Sequence, residues 1–385
     1  MQRVAVVGVG NSDFRKHLDT NLPELAFEAV KPALEDAGID SKDIEFTAVG
    51  TMGTWYEEPL PAVVIAEHAG LNPAGLVRVE AACASGSAAF TAAYRTVACG
   101  EADLALALGV EKMTEIDTPT ITELIGRAGN YLWEFENIGM TFPGYYALYA
   151  SAHMARYGTT EEQLALVAVK NHKYGSMNPA AHFRNEITLE QALRSPMVAW
   201  PLRLYNCCPI TDGAAALVLA SERVARRLSD TPVWVRGIGT ASDTANMSRR
   251  PNYLGLRATT WAAKEAYGRA KIRVEDIDVA EVHDCFTIAE ILAYEDLGFV
   301  EKGRGGKLIE DGETYVGGRI PVNLDGGLKA KGHPIGATGC MMIAEITRQL
   351  RGEGGRRQAP IKHGVGLAQN VGGTGHYCYV TVLGR

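Results

Sequence analysis

The sequence predicts an α/β protein built from two similar halves, and three observations carry that prediction. Apolar strand-like runs alternate with amphipathic helical stretches along the chain. The order of these elements begins again at Val233. The 42 glycines are scattered without a short period, which indicates tight turns and close backbone approaches rather than low complexity. An apolar fraction of 46% and a charged fraction of 22% over 385 residues are those of a soluble globular chain. A net charge of -7 argues against a nucleic-acid surface.

Val4–Gly10 reads as a buried strand ending in glycines. Leu22–Ala37 reads as a helix with Leu25, Ala26, Ala29, Val30 and Leu34 on one face. Strands follow over Phe46–Gly50 and Leu76–Val79. The second of these gives way to Cys83 and a small-residue helix from Ala84 to about Ala98, which leads into a strand over Ala102–Gly109. The later part of the chain has the same order. Val233–Gly239 resembles the first strand, and a helix over Thr259–Ala270 precedes a strand over Val279–Val282. Between them Ile272, Asp276 and Ile277 stand in register with Ile39, Asp43 and Ile44. His333 then takes the place of Cys83, before a helix ending near Gly352 and a strand over Ala359–Val365. The expected division is an N-terminal half, 1–230, and a C-terminal half, 231–385. An insert at about 111–209, rich in aromatics and Met, lies inside the first half; its clear helix, Thr160–Val169, is capped by Thr159 or Thr160. An insert this long either shapes a substrate site or serves as a subunit contact or lid.

Seven cysteines make no C-x-x-C pair, no signal peptide is visible, and no apolar run has transmembrane length. The expectation is a cytoplasmic protein with reduced thiols and no membrane association.

The stretch Val79–Phe90 organises the rest. It places Cys83 at a strand-to-helix turn, at the positive end of a helix, where the field favours thiolate. Taken alone, Cys83 reads as a small buried core residue. Two histidine motifs and a glycine motif single it out. Lys331–Gly339 holds His333 in a turn bounded by Gly332, Pro334 and Gly336, as a general base near a nucleophile must be held. Glu281–Thr287 puts His283 and Cys285 at the C-terminal end of a buried strand, at alternating positions. One suits a substrate oxygen, the other a proton. Gln369–Gly375 reads either as a hairpin turn or as a source of backbone N–H groups for an oxyanion. A metal reading of His283, Asp284 and Cys285 with His363 or His376 matches no common zinc spacing, so no metal is expected. Cys207 and Cys208 read as structural, and Cys99, Cys340 and Cys378 as core.

Together, Ala82-Cys83-Ala84-Ser85-Gly86, Gly332-His333-Pro334 and Gly372-Gly373-Thr374-Gly375 resemble the thiolase family, from end to end of the chain. Gly-His-Pro favours thiolases over the related ketoacyl-acyl-carrier-protein synthases. The resemblance implies duplicated βαβαβαββ halves in five layers, α-β-α-β-α, with the insert as a loop domain over a coenzyme A site, and a homodimer or tetramer. Most thiolases carry a second catalytic cysteine where this chain has Asn370, and Asn-Glu-Ala-Phe where it has His283-Asp284-Cys285-Phe286. Both changes are characteristic of the sterol-carrier-protein-type and archaeal-type branch, in which the cysteine of His-Asp-Cys-Phe takes over proton transfer.

That branch implies acetyl-CoA C-acetyltransfer, giving acetoacetyl-CoA, and the reverse thiolysis, with coenzyme A thioesters as substrates and no bound cofactor. By resemblance Cys83 is the nucleophile, His333 its base and Cys285 the acid/base. His283 and His333 hold the enolate oxygen, and the N–H groups of Cys83 and Gly372 hold the tetrahedral oxyanion. Lys173, Arg184, Arg203, Arg249 and Arg250 are candidates for the coenzyme A phosphates. Some relatives work with a small zinc-ribbon/OB-fold protein and with hydroxymethylglutaryl-CoA synthase. Others have lost the nucleophile and act as aldolases, which the retained Cys83 argues against. A degradative 3-ketoacyl-CoA thiolase for longer or branched chains, a CoA-substrate aldolase and a non-catalytic thiolase-fold subunit stay open.

Overall fold

The computed structural model describes residues 2–53, 55–56, 58–71 and 74–385. The first half runs β1 (Val4–Asn11), α1 (Leu22–Ala37), β2 (Phe46–Gly50), α2 (Pro61–His68), β3 (Gly75–Val79), α3 (Ser85–Cys99) and β4 (Leu104–Glu111). The insert carries α4 (Thr118–Gly126), α5 (Phe142–Tyr157), α6 (Glu161–Gly175), α7 (Leu189–Arg194) and the short pair β5 (Met197–Ala199) and β6 (Leu202–Arg203). The chain returns as β7 (Gly213–Ser221) and α8 (Glu222–Leu228). Then come β8 (Val233–Ser242), α9 (Arg257–Ala270), β9 (Val279–Val282), α10 (Thr287–Asp296), α11 (Gly305–Glu310), α12 (Thr338–Arg351), β10 (Val365–Gly372) and β11 (Tyr377–Gly384).

Local chemistry sets these limits. α1 opens with a capping box between Asn21 and Glu24 and stops at Gly38, which is left-handed. α6 is capped by Thr160 with Gln163 and runs on to Gly175, well past the expected end. The expected strand over Ala359–Val365 begins only at Val365. The Asp278 carboxylate takes the N–H groups of His363 and Val365, at 2.9 and 3.1 Å, and keeps the approach out of the ladder.

The main sheet has the order β3-β2-β4-β7-β1-β8-β11-β10-β9. Read outward from the β1–β8 junction, and leaving out the insert's β5 and β6, each half places its first, last, next-to-last and second strands in that order. The next place is held by β3 in the first half and by a single bridge from Ala280 to Val322 in the second. β1 and β8 pair only through Ala5–Trp234 and Val6–Val233. α1, α2 and α8 pack on the first-half strands or on one another, and α3 packs on β4 and β2. α12 packs on α3 and touches β7 as well as β10 and β9, while α9 covers β8 and β11. The layers are therefore α-β-α-β-α. Among the described residues no helix is long and apolar enough to cross a membrane.

α3 and α12 meet where neither has a side chain. A Cβ on Gly86 would stand 2.6 Å from the Gly336 carbonyl oxygen, and one on Gly339 would stand 2.3 Å from the Ser87 nitrogen. Both obstacles are backbone, which has nowhere to go. Gly339→Ala is therefore expected to cost at least the ~1–3 kcal/mol of an overpacked core, read as a lowered Tm; an unchanged Tm would show that the two helices can part.

Candidate active site

Cys83 lies just before α3, in a turn that Ala82 enters with φ +50°. A non-glycine residue there is strained by roughly 1–2 kcal/mol. The turn is held by Ser85, whose hydroxyl donates to the Ala82 carbonyl (2.7 Å) and accepts from the Ala81 N–H (3.0 Å). The backbone N–H groups of Gly373 and of Cys83 itself reach the sulfur. Gly372, which the sequence reading gives to the tetrahedral oxyanion, stands one residue before Gly373, at the end of β10 opposite Tyr377. These donors favour the thiolate, as the helix position was expected to do. Burial outweighs them and pushes the thiol up to about 12, so the resting form is the thiol.

A thiol needs a base, and the two histidines differ in what they offer. His333 Nδ1 lies 2.7 Å from the Thr338 hydroxyl, whose single proton goes to the Pro334 carbonyl at 2.9 Å. The hydroxyl oxygen therefore accepts from His333 Nδ1–H, and Nε2 carries a lone pair. His283 Nδ1 lies 3.0 Å from the Asn370 amide, which also faces the Cys83 carbonyl at 3.1 Å. A carbonyl only accepts, so the atom facing it is the amide nitrogen, and His283 Nδ1 accepts from that nitrogen. His283 then carries its proton on Nε2. Both Nε2 atoms are buried without a protein partner. The rings stand 5.1 Å apart at 83°. Burial holds both neutral, His333 at about 3 and His283 well below its ordinary value, with Lys331 adding to each.

A ring nitrogen of each histidine and the Cys83 sulfur lie within 4.8 Å of one another. Three such atoms are a metal-like set, but an Nε2–H on His283 has no lone pair to give a metal. Asp284, His363 and His376 are not in that set.

Cys83, Cys285 and His333 line one apolar cavity of about 220 Å³ with Ile125, Phe142 and Ile335. Cys285 is a thiol raised well above its ordinary value by burial, and the buried Tyr146 phenol hydrogen bonds to it. Cys207 and Cys208, read as structural, stand on the same wall, where the Cys208 N–H donates to the Cys285 carbonyl at 3.0 Å. Cys340 and Cys378 are core residues, while Cys99 is exposed because it ends α3 at the surface.

Three carboxylates to which the sequence reading assigns no such contacts hold this arrangement. Asp284 takes the N–H groups of Leu328 (2.6 Å) and Lys329 (3.1 Å), tying the end of β9 to the turn that leads to His333. Glu111 takes those of Met52, Gly53 and Gly336 at 2.9, 3.2 and 3.0 Å. Glu290 pairs with the buried Lys170 of α6, whose ammonium also donates to the Val322 carbonyl at 2.8 Å; Asn171 donates to Asp284 and Glu290 at 2.6 and 2.8 Å. None of these contacts is visible as a motif, because each partner is remote in sequence. The one available signal was the position of Asp284, two residues past the end of a buried-type strand.

The proposed phosphate contacts scatter. Arg203 pairs with Glu161 (2.9 Å), and Arg250 is buried against Tyr149 and the Thr244 carbonyl. Lys173 lies 5.4 Å over the Tyr315 ring, and Arg184 donates to the Pro179 carbonyl at 3.1 Å. Arg249 lines a separate cleft of about 500 Å³ with Trp133, Met140 and Tyr253.

A duplicated five-layer α/β architecture, with its reactive groups where two central helices meet, is that of a class of acyltransferases. The chain belongs to the thiolase family: the pattern described as "Thiolase, N-terminal domain" matches residues 4–223, and "Thiolase C-terminal domain-like" matches 239–385. It is 47% identical, over 100% of both chains, to an acetyl-CoA acetyltransferase of Methanothermobacter thermautotrophicus. It is 34% identical to sterol carrier protein 2 of Homo sapiens, over 96% of this chain and 71% of the relative. Among solved structures the Ltp2-ChsH2(DUF35) aldolase is similar with a TM-score of 0.87 and 27% identity, over 100% of this chain and 98% of that one.

A resting thiol near 12 gains thiolate about tenfold per pH unit. Alkylation of Cys83 by iodoacetamide is therefore expected to accelerate steadily from about pH 6 to about pH 9, without an inflection in the imidazole range. A plateau below neutrality would mean a preformed thiolate.

Proposed function

We propose that the protein transfers acyl groups between coenzyme A thioesters by a ping-pong route, joining two acetyl-CoA into acetoacetyl-CoA and running the reverse thiolysis. The observation that carries this is the meeting of Cys83, His333 and Cys285 at one small apolar cavity, with a ring nitrogen of His283 within 4.8 Å of the Cys83 sulfur. His333 Nε2 takes the thiol proton as the sulfur attacks the thioester carbon. The oxyanion turns to the N–H groups of Cys83 and the Gly372-Gly373 segment. The bond to coenzyme A breaks, and the proton on His333 goes to the departing sulfur. In the second step His283 Nε2–H meets the acetyl-CoA oxygen as it becomes an enolate, while His333, having returned its proton, is again a neutral acceptor. The Cys285 thiolate takes the α-proton, the enolate carbon attacks the acyl carbon, the bond to the Cys83 sulfur breaks, and the proton on Cys285 passes to that sulfur, which restores both groups. A buried thiol at Cys285 is ready to give that proton, which suits thiolysis; condensation starts from its thiolate.

A cavity of about 220 Å³ favours a short acyl group over the longer or branched chains of a degradative enzyme. Arg249 beside the exposed Trp133 ring, in the cleft of about 500 Å³, suits the adenine nucleotide end of coenzyme A. The same reading includes a homodimer or tetramer, a cytoplasmic setting and a role in lipid metabolism. A zinc-ribbon/OB-fold partner is supported by the likeness to the Ltp2-ChsH2(DUF35) aldolase; hydroxymethylglutaryl-CoA synthase is the second partner of this reading. That neighbour is called an aldolase, so an aldolase acting on a coenzyme A-linked substrate is the competing reading.

Intact mass after incubation with acetyl-CoA separates the two. An added acetyl group on the wild-type chain, absent from Cys83→Ala, is expected; no adduct with short or longer acyl donors would leave the aldolase or a non-catalytic subunit. Cys285→Ser is expected to keep the acyl-enzyme while condensation and thiolysis fall by about 10²–10⁴-fold. Normal condensation by that variant would remove Cys285 from proton transfer.

A further inference from the structure

We propose that Asn370 is a positioning residue that fixes the tautomer of His283, making His283 the hydrogen-bond donor of the histidine pair while His333 remains the acceptor. The proposal rests on the acyl-transfer reading and adds to it what decides which imidazole does which task.

Every polar atom of the Asn370 side chain is committed. Its carbonyl oxygen accepts from the Ser87 hydroxyl at 2.9 Å, on α3. Its nitrogen donates to the Cys83 carbonyl at 3.1 Å and to His283 Nδ1 at 3.0 Å. The amide therefore bridges the nucleophile turn, the central helix and the end of β9. Gly339 leaves the space that the Asn370 oxygen fills: a Cβ there would stand 2.5 Å from it. Reversing the amide would set oxygen against the Cys83 carbonyl and leave that carbonyl without a donor.

The consequence falls on the far side of the ring. With Nδ1 receiving a proton, Nε2 must carry one, and it is buried with no protein partner to spend it on. An enolate oxygen forming there meets an N–H. In the other tautomer it would meet a lone pair, and a donor aimed at developing charge would be lost. The groups facing His283 that bear or can take charge are Cys83, His333 and Lys331; Lys331 is paired with Asp325 at 2.5 Å. No carboxylate contacts the His283 ring among the described residues, so its tautomer is set by the amide.

The wild-type protein gives the direct test, by neutron diffraction from crystals exchanged into heavy water. Deuterium on Nε2 of His283 and on Nδ1 of His333 is expected. Deuterium on Nδ1 of His283 would overturn the proposal. Asn370→Asp gives a functional test. The carboxylate accepts from His283 Nδ1–H, so the neutral ring turns its lone pair to the substrate, and Nε2–H returns only when acid adds a proton. Relative to wild type, the Claisen step of this variant is expected to fall by about 10²–10³-fold at alkaline pH and to recover as the pH is lowered. Acylation of Cys83 is expected to survive. A loss that runs parallel to wild type at every pH would reduce Asn370 to a structural role and overturn the proposal. If wild type itself forms no acyl-enzyme, the acyl-transfer reading fails while the neutron result still stands or falls alone.

Discussion

The contact of α3 with α12 at Gly86 and Gly339 is the constraint on which the rest of the structure depends. The thiol belongs to one half of the chain and the imidazole of His333 to the other, and no short segment joins them. They share a cavity because two helix starts approach until backbone meets backbone. Glu111 closes the same seam from outside by holding the loop after β2 and the Gly336 N–H with one carboxylate. Small residues here serve geometry: each methyl group added at this crossing would move a reactive atom.

The second theme is the absence of charge on the reactive groups. In a serine-type triad a carboxylate orients the base and stabilises its cation. Here, among the described residues, no carboxylate touches His283 or His333. A threonine hydroxyl orients one ring and a carboxamide the other. The nearby acids Asp284 and Glu111 are spent on backbone N–H groups instead. The result is a neutral, desolvated site in which any charge that develops during reaction is met by fixed dipoles, and weakly screened dipoles act strongly there.

Much of this was legible in the chain. The limits of α1, β2 and β9 follow from periodicity and caps, and the repeat of strand order follows from the likeness of Val233–Gly239 to Val4–Gly10. Cys83, His333, His283 and Cys285 announce themselves through glycine and strand-end context. What stayed hidden is tertiary. The strand after α12 was misplaced because Asp278, remote in sequence, captures its approach. The thiolate expected at Cys83 gives way to a thiol because burial, which a helix dipole cannot report, is the larger effect. Cys207 and Cys208 became cavity wall only through their pairing with the segment around Cys285. The tasks of Asn370 and Tyr146 depend on partners in other elements, which no local pattern records.

The insert is riveted to the second half, and this bears on how substrate arrives. α6 buries the Lys170 ammonium against Glu290 and the Val322 carbonyl, and α5 sends the Tyr149 hydroxyl to the Thr374 carbonyl at 2.9 Å. Lifting these helices away would break that pair and these hydrogen bonds, which are worth about 0.5–3 kcal/mol each. A thioester therefore meets an insert that the second half of the chain holds in place, and the two halves share the wall that receives it.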